Sequence, residues 1–258
     1  TMRFMKKNMK ILFLGVLMAV TSCSFTTKEF NDPDKDKVLL DLITYVLEKG
    51  HYSPADMDDT FSAGVYDDFI NALDPLKRYF IASDIEEFSA YRTLIDDQIK
   101  AKDLTFFNLV YDRFMKRMEE GKKRYAAVLE EPFDYSIDEV INVDYENLAY
   151  VKNESEMKDR WRQQLKFSTL SNYYDLVEEK EVSAKNQKEV AEKGEEFTPS
   201  ENAKLTISEI EEKSRTQTRT SLEEYYEFTD DLERKDYFAT FLTTIVEEFD
   251  PHTNYFAP

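Results

Sequence analysis

The chain has 258 residues, enough for one large domain or two small ones with a substantial core. Five glycines and seven prolines are few, while 19 Phe, 16 Tyr and 34% charged residues are many; that balance favours an all-α chain of long helices and excludes global disorder. A formal net charge of −19 excludes a nucleic-acid-binding role and repels anionic lipid headgroups, and its plain meaning is solubility.

Residues 1–23 read as an export signal. Arg3, Lys6, Lys7 and Lys10 make a basic start without acidic counterparts, with Met2, Met5 and Met9 as candidate initiators. Ile11 to Val20 form an apolar segment too short to span a bilayer stably. Val20-Thr21-Ser22-Cys23 then places the only cysteine of the chain after small residues, a pattern similar to the lipobox of bacterial lipoproteins. Cys23 is therefore the expected lipid attachment site, which tethers the mature chain to a membrane without spanning it. A lone cysteine also excludes an intrachain disulfide. Residues 24–31 read as a short tether.

The helical domain is expected from residue 32 to residue 258. Asp32-Pro33 provides an N-cap followed by proline at the first helical position, with Leu39, Leu42, Ile43 and Val46 as the apolar stripe and Gly50 at the C-terminal cap. His51-Tyr52 falls in the turn. Ser53-Pro54-Ala55-Asp56 opens a second helix with the stripe Phe61, Val65, Phe69, Ile70 and Leu73. Ser83-Asp84-Ile85-Glu86 predicts a capping box for a third, striped by Ile85, Phe88, Tyr91, Ile95 and Ile99. A long fourth helix spans Asp103 to Glu130, closed by Pro132, with Phe107, Val110, Tyr111, Phe114, Met118 and Tyr125 on one face.

Residues 133–152 carry some β-branched alternation at Val140-Ile141-Asn142-Val143, although helix or irregular structure fits as well. Met157, Trp161 and Leu165 mark another helix. Residues 178–219 are strongly charged, contain Gly194 and Pro199, and read as a solvent-exposed helical hairpin or partly mobile excursion. A last helix starts near Asp230 and carries Phe238, Phe241, Leu242, Ile245 and Phe249.

One cadence occurs twice: apolar, Asp, Pro, three variable residues, Tyr, Phe. It runs through Leu73, Asp74, Pro75, Tyr79 and Phe80, and again through Phe249, Asp250, Pro251, His252, Thr253, Tyr255 and Phe256. Physically it is a helix stop. Proline disfavours helical geometry in the preceding residue and cannot donate to the preceding turn. The Asp carboxylate can fold onto nearby backbone N–H groups, and the Tyr-Phe pair returns a large apolar payload to the core. His252 is expected to fix its turn by a hydrogen bond.

These two segments, Leu73 to Phe88 and Asp250 to Pro258, resemble the hallmarks of the helical N-terminal region of bacterial C-terminal processing (tail-specific) serine peptidases. The run Trp161-Arg162-Gln163-Gln164-Leu165-Lys166 is similar to that family's Trp-containing helix. The resemblance implies an all-α N-terminal domain of an envelope peptidase that cleaves proteins from their C-termini. It implies a PDZ domain that captures the substrate tail and a Ser–Lys catalytic pair, both lying after Pro258, so the chain's own PDZ and protease domains are its expected partners. No catalytic, metal or cofactor residue is assigned here. Only His51 and His252 are histidines, and the acidic runs at Asp56, Asp58, Asp59 and at Glu247, Glu248, Asp250 lack the glycine-centred spacing of a calcium loop. The alternative is a self-contained all-α envelope lipoprotein that binds or scaffolds other proteins.

Overall fold

The computed structural model describes residues 33–51, 56–253 and 255–256. The export signal, Cys23, the tether, Asp32 and Ser53-Pro54 lie outside the described residues. The elements that follow are α-helices α1 (Pro33–Gly50), α2 (Asp59–Leu73), α3 (Ala82–Ser89), α4 (Ile95–Ala101), α5 (Thr105–Val128), α6 (Glu154–Glu192), α7 (Glu201–Lys204), α8 (Ile207–Asp230) and α9 (Arg234–Phe249). Among the described residues there is no strand, so the fold is all-α, as the composition predicts.

The core is aromatic. Phe61, Val65, Phe69, Ile70 and Leu73 of α2 are all buried, as their spacing predicts. They meet Phe106, Phe107 and Val110 of α5 and Phe238, Phe241 and Ile245 of α9 in one cluster. Phe69 sits edge-on to Phe241 at 5.0 Å, and Phe107 edge-on to Phe238 at 5.1 Å, the offset geometry that ring quadrupoles favour.

Two helix starts differ from the sequence reading, in each case because another polar group caps better. Asp58, not Ser53, caps α2, its carboxylate accepting the Thr60 and Phe61 N–H groups at 2.9 and 3.0 Å. Ser83 is not the cap of α3. That helix starts at Ala82, and the buried Asp84 accepts the Ile81 N–H at 3.0 Å. Asp84 also receives Arg113 and Arg117 from α5, so one carboxylate caps a helix and joins it to its neighbour. Burial pushes its pKa up, but the two guanidinium groups and the Ile81 N–H outweigh burial and hold it below the ordinary aspartate value. The predicted third helix is broken by a turn at residues 90–94 into α3 and α4, although Phe88, Ile95 and Ile99 are all buried as expected.

The inward face of α1 matches the predicted stripe only in part, through Leu39 and Ile43, which pack half-buried against the core. Leu40 and Leu47 are buried, with Asp36 beside them paired to Arg234 of α9, whereas Leu42 and Val46 are exposed. The helix has apolar residues on two sides, so periodicity alone does not select a face. Gly50 is its last residue and does not lie beyond it.

The charged excursion is a helical hairpin, and its arms are longer than predicted. α6 runs 39 residues and α8 runs 24, and Thr169 meets Thr218 across the pair at 2.7 Å. Gly194, just past the end of α6, takes a φ of +72°, where a glycine costs least. Ile210, Ser214 and Thr218 are buried, so the hairpin is not solvated on both faces. Residues 133–152 form no strand. Val140 and Val143 stand exposed, and the stretch is fastened elsewhere, with the Phe133 N–H on Glu211 at 2.8 Å and the Ala82 N–H on the Val151 carbonyl at 2.8 Å.

Candidate functional site

Both Asp-Pro sites end a helix where the sequence says they should. α2 stops at Leu73 and α9 at Phe249, each with the Asp as its C-terminal cap residue. Each then makes the same tight turn, with the Lys77 N–H on the Asp74 carbonyl at 3.1 Å and the Thr253 N–H on the Asp250 carbonyl at 2.9 Å.

The first turn is secured from both sides. The Asp74 side chain is fully buried. Its Oδ1 accepts the Arg78 N–H at 2.8 Å, and its Oδ2 accepts those of Tyr79 and Phe80 at 3.0 and 2.9 Å. Burial pushes the carboxyl pKa up, against the pull of the three N–H groups. From the other side α6 takes three successive carbonyls. Gln164 Nε2 donates to Leu76 O at 2.9 Å, Arg160 to Lys77 O at 2.8 Å, and Trp161 Nε1 to Arg78 O at 2.8 Å. The clamp meets the requirement that buried backbone groups be paired. It also holds Lys77 at a φ of +48°, a left-handed conformation that costs a non-glycine residue about 1–2 kcal/mol. The Lys77 ammonium fastens the irregular stretch by donating to the Glu146 and Leu148 carbonyls, both at 2.8 Å.

The payload arrives as predicted at this copy. Tyr79 and Phe80 are buried; Phe80 lies edge-on to Phe88 of α3 at 5.3 Å, and Tyr79 edge-on to Phe114 of α5 at 5.6 Å and to Trp161 at 5.8 Å. Tyr79 Oη meets Tyr226 Oη of α8 at 3.2 Å. That approach requires Gly121, where a Cβ would stand 2.7 Å from Tyr226 Oη and 2.9 Å from the Tyr79 ring. Pro75 closes α2, and through Tyr79 and Phe80 the turn joins four helices.

The second turn behaves differently. Asp250 accepts the His252 N–H at 3.0 Å, the Thr253 hydroxyl at 2.9 Å and His51 Nε2 at 2.9 Å. The imidazole at this turn is therefore that of His51, whose ring also lies edge-on to Phe249 at 5.5 Å. The His252 side chain is exposed, and its contribution is its backbone N–H. Pro251 is exposed, Tyr255 is half-buried against the edge of the core and Phe256 is 85% exposed, so here only the tyrosine of the pair reaches the core of this chain. Chemically the two sites are a closed structural node and a more open turn.

Sequence reading identified Asp74, Pro75, Tyr79, Phe80 and Trp161 but missed Arg160 and His51. The signal for Arg160 is its place one residue before a buried Trp on the same helical turn. His51 lies 199 residues from Asp250, and no local pattern links them.

The Asp250 carboxyl is held down to about 2, by the His252 N–H first and then by His51 and Thr253. A depressed carboxylate pKa stabilises the fold above the unfolded value, and that contribution is lost as pH falls toward the folded value. Acid titration of unfolding between about pH 4 and 2 is therefore expected to show a stability drop that is smaller in Asp250→Asn. Equal drops in both proteins would remove this role for Asp250.

The first Asp-Pro turn is thus a structural node of this helical domain, and the same cadence recurs in residues 249–256. Among the described residues no group of three or more His, Cys, Asp or Glu side chains could hold a metal ion. The chain belongs to the tail specific protease N-terminal domain family, whose profile matches residues 43–258. It is 26% identical over 213 residues to the tail-specific protease of Haemophilus influenzae, an overlap covering 82% of this chain and 26% of that relative. The chain thus spans about a quarter of the length of the curated relative it matches.

Proposed function

We propose that this chain is the platform domain of an exported serine-type tail-specific peptidase, not catalytic by itself, that positions a PDZ domain and a Ser–Lys catalytic portion following it. The observation that carries the reading is the family match across residues 43–258, joined to an exit turn that presents Phe256 outward. A Ser–Lys pair needs a lysine neutral enough to accept the serine proton, together with an oxyanion hole, and no segment of the 258 residues is assigned those roles. The basic start, short apolar run and Val20-Thr21-Ser22-Cys23 support export to the periplasmic side of a bacterial envelope with a lipid on Cys23. Incorporation of a fatty-acid analogue into the wild type and not into Cys23→Ala tests the anchor; equal incorporation would remove it.

The functional test uses an unfolded reporter with an apolar C-terminus. The purified 258-residue chain is expected to leave it intact, while the protein extended by the reading frame after Pro258 is expected to cleave it. Cleavage by the chain alone that survives repurification would contradict the reading. A stop codon directly after Pro258 would favour the self-contained scaffold.

A further inference from the structure

The outward side of α1 is an apolar stripe with nothing of the described domain over it. Val38 is 67% exposed, Leu42 58%, Tyr45 64% and Val46 54%. Their spacing of four, seven and eight residues puts them on one helical face, which for a surface helix is the spacing of a buried side. Leu40 and Leu47 already fill the inward side. A helix of this domain that is apolar on both sides has a second partner.

The location of the stripe indicates which partner. His51 directly follows α1, donates from Nε2 to the Asp250 carboxylate at 2.9 Å and lies against Phe249, so the end of α1 is bound to the turn that follows α9. Val46 is about 7 Å along the helix axis from that link, at 1.5 Å per residue. The relative that this chain matches carries about three quarters of its length outside the matched region.

We infer that the outward face of α1, together with Phe256 at the exit, is the docking surface for the portion of the protein that follows this domain. This rests on the proposed function. Charge argues against an anionic bilayer as the occupant, because Asp41 and Glu48 flank the stripe on a chain of net charge −19. Area argues against a second copy. Four part-exposed side chains offer well under the ~800 Å² per partner of a standard independent interface. A partner linked at the exit acts at an effective concentration of about millimolar and needs far less area. The rim fits such an occupant, since Asp41, already paired with Lys102 at 2.8 Å, and Lys49 mark a polar border.

The test places a thiol on the stripe. In a Cys23→Ser background the chain has no other cysteine, so Leu42→Cys and, separately, Tyr45→Cys report maleimide labelling at the face, with Val140→Cys as a control on the exposed loop. In the protein extended past Pro258, both stripe thiols are expected to label at least about tenfold more slowly than in the 258-residue chain, and the control equally fast in both. Equal labelling of the stripe thiols in the two proteins would overturn the inference. Protection already present in the 258-residue chain and rising with its concentration would overturn it in favour of a second copy. The extended protein's cleavage of the reporter is read in the same samples. Cleavage with fast stripe labelling defeats the docking surface alone, whereas an intact reporter defeats the proposed function.

Discussion

Replacing Asp74 by alanine is expected to cost about 3–5 kcal/mol of unfolding free energy, a large share of what a domain of this kind has. The carboxylate is buried and accepts three N–H groups, from Arg78, Tyr79 and Phe80. Alanine leaves three buried donors unmet, and each unmet group costs about 1–3 kcal/mol with less than full additivity. Asparagine is not a conservative replacement here. Both carboxylate oxygens accept N–H donors, so whichever way the amide is flipped its NH₂ faces one of them. Asp74→Asn is expected to fall between the wild type and Asp74→Ala. Urea unfolding followed by fluorescence measures all three. Trp161 is the only tryptophan and lies against this turn, so its signal reports on the node directly. An Asp74→Ala midpoint equal to that of the wild type would show that the turn does not need the carboxylate.

The opposite side of the turn predicts a comparable loss. Trp161 is fully buried, donates to Arg78 O at 2.8 Å, and has the Arg78 guanidinium over its ring at 4.6 Å. Trp161→Ala removes the ring and leaves a cavity, for an expected cost of about 3–5 kcal/mol. Trp161→Phe keeps most of the apolar volume but orphans the Arg78 carbonyl, for about 1–2 kcal/mol. Circular dichroism during urea unfolding reads these variants, which lack the fluorophore. Equal midpoints for Trp161→Phe and the wild type would mean that the ring matters and the hydrogen bond does not.

The parts of the fold that were legible in the sequence are those where one physical signal acts alone. α2 and α9 have an apolar face whose spacing names buried residues, and the Asp-Pro pairs end both helices at the expected residue. The same holds for Phe107, Val110, Phe114 and Met118 of α5, although Phe106 was missed and Tyr111 and Tyr125 are only half-buried. Where two signals compete, sequence reading chose wrongly. α1 is apolar on two sides, and the pairing of Asp36 with Arg234 marks the inner one, a contact 198 residues apart in the chain. Near residues 53–58 and 81–84 both Ser and Asp offer caps, and in each case the carboxylate does the capping, at Asp58 and Asp84. Within the site, the helix-stopping chemistry of Asp74 and Pro75 was visible, because it is local. The three carbonyls taken by α6 and the link from His51 to Asp250 were not, because they depend on where distant helices pack.

One cadence has two outcomes in this fold: at residues 73–80 it is a node of the core, and at residues 249–256 it leaves its phenylalanine outside. The most direct measurement is the unfolding free energy of Phe80→Ala and Phe256→Ala in the same 258-residue chain. Phe80 is fully buried and Phe256 is 85% exposed. The expected losses are about 3–5 kcal/mol for Phe80→Ala and no more than about 0.5 kcal/mol for Phe256→Ala. Similar losses at the two positions, whether both large or both negligible, would contradict the account.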